Sequence, residues 1–310
     1  LSVKNLKTFF YTNNRCNKAV NGVSFDIKKG KTLCIVGESG CGKSVTAATI
    51  MQLLPTLSRI EEGEIIFYKD DQKINIEKLP RNGKEMREIR GSDIAMIFQD
   101  PMTALNPVYT VGFQIGENLK YHTNLNKEEI REKTISLLSD MGIPLPEKRI
   151  DEYPHSYSGG MRQRAMIAMA MACNPKILIA DEPTTALDVT IQAQIFELMA
   201  KLKKDYDTAI MLITHDMGVV AELADNVAVM YMGNIVESGS VSDVLRRPTH
   251  PYTKALLDSV PVLGRGKDQD IHPIKGSTPD PYDRPIGCQF APRCNWADQN
   301  CEIMPEISNV

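Results

Sequence analysis

The octapeptide GESGCGKS at 37–44 has the spacing G-x-x-x-x-G-K-[ST] and directly follows the apolar run TLCIV at 32–36. Gly37, Gly40 and Gly42 let backbone N–H groups converge on phosphate oxygens, and Ser39 and Cys41 carry the rest of that cradle. Lys43 adds a point charge for the β- and γ-phosphates, and Ser44 offers a hydroxyl to Mg²⁺. A chance match in a glycine-rich turn is the competing reading, and the preceding strand weighs against it.

Four further sets of residues suit the same chemistry. ILIADEP ends an apolar run with Asp181, placed to hold Mg²⁺, and Glu182, a carboxylate able to polarise an attacking water. Alone, that pair reads equally well as a solvated acidic turn; together with a phosphate loop it reads as chemistry. His215 closes the run AIMLITHD, where a histidine is often structural but would contact a γ-phosphate if it shared the loop's crevice. Gln99, in MIFQDP, is a polar residue after an apolar strand, which on its own is commonplace. Lastly, SGGMRQR at 158–164 opens a helical run on two glycines. Free N–H groups and a positive dipole at a helix start make a second anion site.

These residues need a scaffold that gathers them. TLCIV, ILIAD (177–181) and AIMLITHD (209–216) are continuous apolar runs, as expected of strands buried on both faces, and helical patterns follow them. Repetition of strand and crossover helix predicts an α/β sheet, whose ligands sit at the carboxyl ends of the strands. Gly37, Asp181 and His215 all fall at such ends. A helix over 189–204 presents Ile191, Ile195, Leu198, Met199 and Leu202 on one face. Residues 100–157 read instead as helices. The best defined, LNKEEIREKTISLLSDMGI (125–143), has early acids, an apolar face through Ile130, Leu137, Leu138 and Met141, and a glycine stop. From about 246, RRPTHPYTKALL and STPDPYDRPIGC are rich in proline and turn residues and read as an appended segment.

Composition excludes several classes. The chain has 310 residues, 42% of them hydrophobic and 24% charged, as in a globular protein with a full core. A net charge of −3 argues against broad nucleic-acid binding. No run reaches the ~18 uncharged apolar residues of a membrane span; AMIAMAMACNPKILIA is broken by Pro175 and Lys176. The N-terminal LSVKNLKTFFY lacks a signal-peptide layout, and because Leu1 is not a methionine the true start is expected upstream. Seven cysteines, scattered through the first two-thirds and then clustered near the end, favour a reducing cytosol over a disulfide scaffold.

With SGGMRQR, ILIADEPTTALD and ITHD in that order, the chain resembles the nucleotide-binding subunit of an ABC transporter from about residue 2 to 245. The resemblance rests on the phosphate loop, a Q-loop at Gln99, the signature at 158–162, Asp181–Glu182, TALD at 185–188 and His215. It implies a P-loop NTPase (RecA-like) core over 1–99 and 158–245, an inserted helical subdomain over 100–157 and a C-terminal extension over 246–310. It also implies ATP hydrolysis with Mg²⁺ held through Ser44, Gln99 and Asp181, Glu182 as general base and His215 as γ-phosphate switch. In this family two such domains pair head to tail, so Ser158, Gly159 and Gly160 would serve the partner's ATP. That arrangement explains why one chain carries two anion sites. Thr185 to Asp188 would lie across the dimer seam, and an N-terminal aromatic, Phe10 or else Tyr11, would stack on adenine. The signature departs from LSGGQ at Tyr157 and Met161. The stretch Met161, Ala165, Met169 and Cys173 is most simply a buried helix face.

Near the end, CQFAPRCNWADQNC sets Cys288, Cys294 and Cys301 at C-x5-C-x6-C, a thiol grouping suited to zinc or iron–sulfur but unlike zinc-finger spacing. RPTHPYT and GCQFAPRC resemble the extension of oligopeptide, dipeptide and nickel importer ATPases, some of which carry a [4Fe–4S] cluster with a fourth cysteine after the third. None follows Cys301 here. Truncation, a different fourth ligand or absence of a cluster would each account for that. The resemblance therefore implies the ATPase subunit of an importer, for peptides first, then nickel or another solute. Its partners would be a second ATPase (a different chain in most peptide members), two transmembrane permease subunits and an extracytoplasmic binding protein, at the cytoplasmic face of the membrane. The rival reading is a soluble ATPase of the same family acting on DNA or ribosomes. Such proteins typically carry two ATPase domains or a long coiled coil, and this chain has neither.

Overall fold

The computed structural model describes residues 1–12, 15–70, 72–99, 104–184, 187–259, 274–303, 305 and 308. The chain divides into two compact units, one of Leu1–Asp26, Leu33–Glu77 and Thr214–Val310, the other of Ile27–Thr32 and Lys78–Ile213.

The first unit contains an antiparallel sheet of β1 (Ser2–Thr12), β2 (Arg15–Asp26), β4 (Ser58–Lys69) and β5 (Gln72–Asn75), ordered β2-β1-β4-β5. Val3 lies opposite Phe25 and Ile65, and Leu6 opposite Val23; Val3, Leu6, Val23 and Ile65 are all buried. In the same unit β3 (Thr32–Val36) runs parallel to β9 (Asn226–Tyr231), pairing Cys34 with Val227 and Val36 with Val229. β9 then turns through Met232 and Gly233, both at positive φ, into the antiparallel β10 (Asn234–Ser240). Every residue of β3 is buried, as its unbroken apolar run requires. Helices α1 (Lys43–Ile50), α8 (Met217–Leu223), α9 (Val241–Arg246) and α10 (Pro251–Asp258) complete the unit.

The proline-rich end of the chain does more than its composition foretells. Tyr252 of α10 and Phe290 are fully or nearly fully buried against Tyr231 of β9, with ring centroids 4.6 and 5.4 Å from it and 5.3 Å from each other. Burying such a ring contributes roughly 1.5–3 kcal/mol. The turn residues are there, but they position aromatic side chains in the core of the first unit.

The second unit holds the parallel strands β6 (Ile94–Ile97), β7 (Ile177–Asp181) and β8 (Ala209–Thr214), with Ile94 beside Ile177 and Asp181 beside Ile213. Its helices are α2 (Lys84–Glu88), α3 (Val111–His122), α4 (Lys127–Asp140), α5 (Pro146–Arg149), α6 (Gly159–Met171) and α7 (Val189–Tyr206). α4 begins with a capping box. Asn126 accepts from the N–H groups of Glu128 and Glu129, and Glu129 accepts from that of Asn126. It ends before Gly142 at φ +70, so the acids and the glycine stop do what the sequence asks of them. Ile195, Leu198, Met199 and Leu202 of α7 are buried, and Ile191 is half-buried.

The buried stripe of α6 differs from the one expected. Of the expected stripe Ala165 is buried but Met161, Met169 and Cys173 are half-buried, whereas Gln163, Met166, Ile167, Ala170 and Met171 are buried at helical spacing. Small alanines line both candidate stripes, so residue size gives no signal to choose between them. Among the described residues no helix is long and apolar enough to cross a membrane; AMIAMAMACNPKILIA divides into the end of α6, a turn and β7.

Candidate nucleotide site

The phosphate loop owes its shape to two glycines. At Gly37, φ is +152, and a Cβ would lie 2.1 Å from the Met230 carbonyl oxygen. At Gly42, φ is +105, and a Cβ would lie 2.2 Å from the carbonyl oxygen of Ala19. Backbone passes too close at both points for any side chain. At Gly40, by contrast, a Cβ would meet nothing within 4 Å, so the loop opens there. Gly42 begins α1 in a left-handed conformation without a side-chain cap, and no acid occupies the first turn. A helix start left in that condition favours an anion.

Lys43 is 5% exposed. Its Nζ donates to the carbonyl oxygens of Gly37 at 2.8 Å and Glu38 at 3.0 Å, which curls the loop around the ammonium. Cys41 is buried beside it, and burial pushes its thiol up while Lys43 opposes the shift. Glu38, unremarked in the sequence, is held from three directions. Its N–H donates to the Tyr252 hydroxyl at 2.9 Å and its carbonyl accepts from Lys43. Its carboxylate receives a two-pronged bond from Arg293, Nη1 to Oε2 at 2.6 Å and Nη2 to Oε1 at 3.0 Å. Glu38 and Arg293 are 255 positions apart, so no spacing rule could have joined them. Ser39 and Ser44 take their places in the loop and at the second position of α1.

Phe10 is half-buried on β1, opposite Asn17 and Ser58. Tyr11 is exposed; its hydroxyl donates to Glu61 at 2.7 Å, which raises its pKa to about 12. His215 is exposed between β8 and α8. Beside it, Asp216 caps α8 by accepting from Gly218 N–H at 2.8 Å.

In the second unit Asp181 ends β7 and is buried, while Glu182 departs from the strand at φ +44. A left-handed glutamate is uncommon and costs free energy, a feature found at functional sites. The Glu182 N–H donates to the Ile213 carbonyl at 2.9 Å, and Oε2 accepts from Gln99 Nε2 at 2.9 Å. The structure thus brings together Gln99 and Glu182, which lie 83 residues apart in sequence.

The signature residues are arranged differently. Ser158 and Gly159 are exposed and Gly160 is half-buried. Ser158 caps α6 by accepting from Met161 N–H at 3.3 Å, and a Cβ on Gly159 would come no nearer than 3.6 Å to another group. The turn before it is fixed from behind: Arg162 Nε donates to the carbonyls of Pro154 and Tyr157, and the buried Tyr157 hydroxyl donates to Arg149. Asp188 caps α7; Thr185 and Ala186 of the expected seam lie outside the described residues.

The expected iron–sulfur ligands do not form a ligand set. Among the described residues no three His, Cys, Asp or Glu side chains converge on a metal position. Two of the thiols are engaged locally instead. Cys294 Sγ accepts from Trp296 N–H at 3.4 Å, and Cys301 Sγ donates to Asp298 at 3.6 Å. Cys288 meets Cys301 through the backbone, N–H to carbonyl at 2.9 Å.

A family model described as ABC transporter matches residues 20–185, and one described as the C-terminal region of oligopeptide/dipeptide transporters matches 236–301. The chain is 55% identical over 296 residues to the dipeptide transport ATP-binding protein DppD of Bacillus subtilis, covering 95% of this chain and 86% of that protein. It is 50% identical over 302 residues to the oligopeptide transport ATP-binding protein AppD of the same organism, covering 97% and 90%. Among solved structures, it superimposes on a dimeric ATP-binding cassette, MJ0796, in a post-hydrolysis state bound to ADP and Pi. The TM-score is 0.67 at 28% identity, over 77% of this chain and 98% of that one.

Proposed function

The chain belongs to the ABC transporter family and is one of its ATPases, and from that premise we propose that it powers the import of dipeptides or oligopeptides. The observation that carries the reading is the 37–44 loop, which has backbone contacts that forbid side chains at Gly37 and Gly42, a buried lysine and an uncapped helix start. The peptide assignment is supported by the 236–301 match and by the names of the relatives.

The reaction is ATP + H₂O → ADP + phosphate. Backbone N–H groups of Gly37–Ser44 and the start of α1 bind the phosphates, and Lys43 supplies positive charge to their oxygens. Glu182 takes the proton of the attacking water as its oxygen bonds to the γ-phosphorus and the bond to the β-phosphate oxygen breaks. Gln99, already bonded to Glu182, orients that carboxylate, and His215 contacts the γ-phosphate. Ser44, Asp181 and Gln99 are hard oxygen donors of the kind Mg²⁺ takes, so the residues present fit that ion. Bound there, Mg²⁺ would neutralise charge developing on the phosphate oxygens. No iron–sulfur cluster enters this reading. Phe10 is the adenine platform, since the Tyr11 ring is already engaged by Arg59 at 5.7 Å and its hydroxyl by Glu61.

Residues 1–99 and 158–245 act as the ATPase core, 100–157 as the helical subdomain that passes movement to permeases, and 246–310 as the extension. The Ser158–Gly160 start, exposed at Ser158 and Gly159, serves a second ATPase, a reading supported by the dimeric state of the solved relative. Two permeases, a binding protein and a peripheral position at the cytoplasmic face follow from the same role. Purification of the tagged full-length chain from detergent-solubilised native membranes tests this. Two polytopic subunits and a second ATPase, with activity stimulated by peptide, are expected; ribosomal or DNA-repair partners in the soluble fraction would overturn it.

A further inference from the structure

The proline-rich extension reaches the phosphate loop at Glu38, and it does so with charge. Arg293 is 8% exposed and clamps Glu38 with both Nη atoms. Its Nε donates to the Lys275 carbonyl at 3.0 Å, Nη1 also reaches the Tyr231 hydroxyl at 3.4 Å and Nη2 the Gly276 carbonyl at 3.4 Å, and its guanidinium lies 5.9 Å from the ring of Tyr231 and 6.0 Å from that of Phe290. Tyr252, from the same extension, accepts the Glu38 N–H. Glu38 in turn gives its carbonyl to Lys43. A chain of direct contacts therefore runs from the extension to the lysine that meets the phosphates.

Glu38 is out of place on electrostatic grounds. A carboxylate in a loop built to receive a polyanion repels that ligand, unless a cation neutralises it and holds it aside. A planar two-pronged guanidinium does both, whereas an ammonium would do only the first. We propose that Arg293 and Tyr252 are positioning residues for ATP, with the extension serving as a brace that neutralises Glu38 and fixes the loop in its phosphate-binding shape. This inference rests on the phosphate-loop reading above and adds to it a role for the extension within the nucleotide site.

The test uses the purified full-length chain with MgATP, read by titration calorimetry, by steady-state kinetics of the assembled transporter and by thermal unfolding. Arg293→Gln is expected to weaken ATP binding about tenfold or more and to raise KM with kcat little changed, because the Glu38 charge is left unpaired beside the ligand. Adding Glu38→Gln to that variant removes the repulsion and restores most of the affinity. Arg293→Lys falls between, keeping the charge without the fork. A merely structural contact predicts the opposite for the double variant, which should bind no better than Arg293→Gln. Affinity of Arg293→Gln within about twofold of the native chain, or a double variant without recovery, would overturn the proposal. Should Arg293→Gln unfold, Glu38→Gln and Arg293→Lys carry the test, with native or tighter binding expected for the first and weaker binding for the second; weaker binding by Glu38→Gln would overturn the brace. Lys43→Ala separates the two levels. If it leaves ATP binding intact the phosphate-loop reading itself fails, and if it abolishes binding while Arg293 is indifferent only the brace fails.

Discussion

The starts of α1, preceded by Gly42, and of α6, opened by Gly159 and Gly160, are held in opposite ways. The start of α1 is buried, uncapped and wired inward: Lys43 to Gly37 and Glu38, Glu38 to Tyr252 and Arg293, with Gly37 and Gly42 against neighbouring backbone. The start of α6 is exposed and capped by its own Ser158, and the bonds that fix it come from the turn behind. The first is held from within its own unit. The second lies open at the surface, which suits its proposed role of serving a second ATPase.

The sharpest break concerns the reaction they share. Glu182→Gln keeps ATP binding and lowers turnover by about 10²–10⁴, the range of a lost general base, measured by ATPase assay of the assembled transporter. Next is a matched pair of glycine substitutions. Gly42→Ala forces a Cβ onto the Ala19 carbonyl at positive φ, so nucleotide affinity and thermal stability both fall. Gly159→Ala meets only an ordinary contact with Leu187 at 3.6 Å, gains up to about 1 kcal/mol of helix propensity and leaves ATP binding by the isolated chain intact, while ATPase activity of the assembly drops. Calorimetry and thermal unfolding of both variants separate these outcomes.

Ser158→Ala removes the α6 cap and is expected to cost about 1 kcal/mol in denaturant unfolding, with ATP affinity of the isolated chain unchanged. The smallest effect is one of pH. Burial holds His250 below its ordinary value, partly countered by Glu237, and its Nδ1 accepts from Tyr252 N–H at 3.1 Å. A histidine more readily protonated when unfolded stabilises the fold fully above about pH 6.5, and that contribution is lost as pH falls through the lowered folded value. Melting temperature is therefore expected to fall on acidification in that window, and less so in His250→Asn, which keeps a cap without titrating. The α1 start leans on this region through Tyr252.

Much of this was legible in the residues. The close-packed turn at Gly37 and Gly42 and the inward Lys43 were legible because a phosphate loop has a fixed spacing, and the strands TLCIV and ILIAD because strands buried on both faces have few polar positions. Glu182 was legible as a carboxylate but not as a left-handed residue, since φ at a strand end is set by the neighbouring Ile213 carbonyl rather than by its own type. Arg293 was invisible for a different reason, its partner being distant in sequence. The three C-terminal cysteines suggested a metal by proximity, but spacing says nothing of where thiols point, and two of them point to local partners.

The contrast between the two helix starts is tested most directly by placing a charge on the outward one. Gly159→Asp puts a carboxylate at an exposed helix start, where the dipole favours it and the fold tolerates it. ATP affinity of the purified full-length chain is then measured beside Lys43→Ala. The account predicts native affinity for Gly159→Asp and none for Lys43→Ala, with ATPase activity of the assembled transporter lost in both. Loss of ATP binding by the isolated Gly159→Asp chain would contradict it, placing the signature in the chain's own nucleotide site.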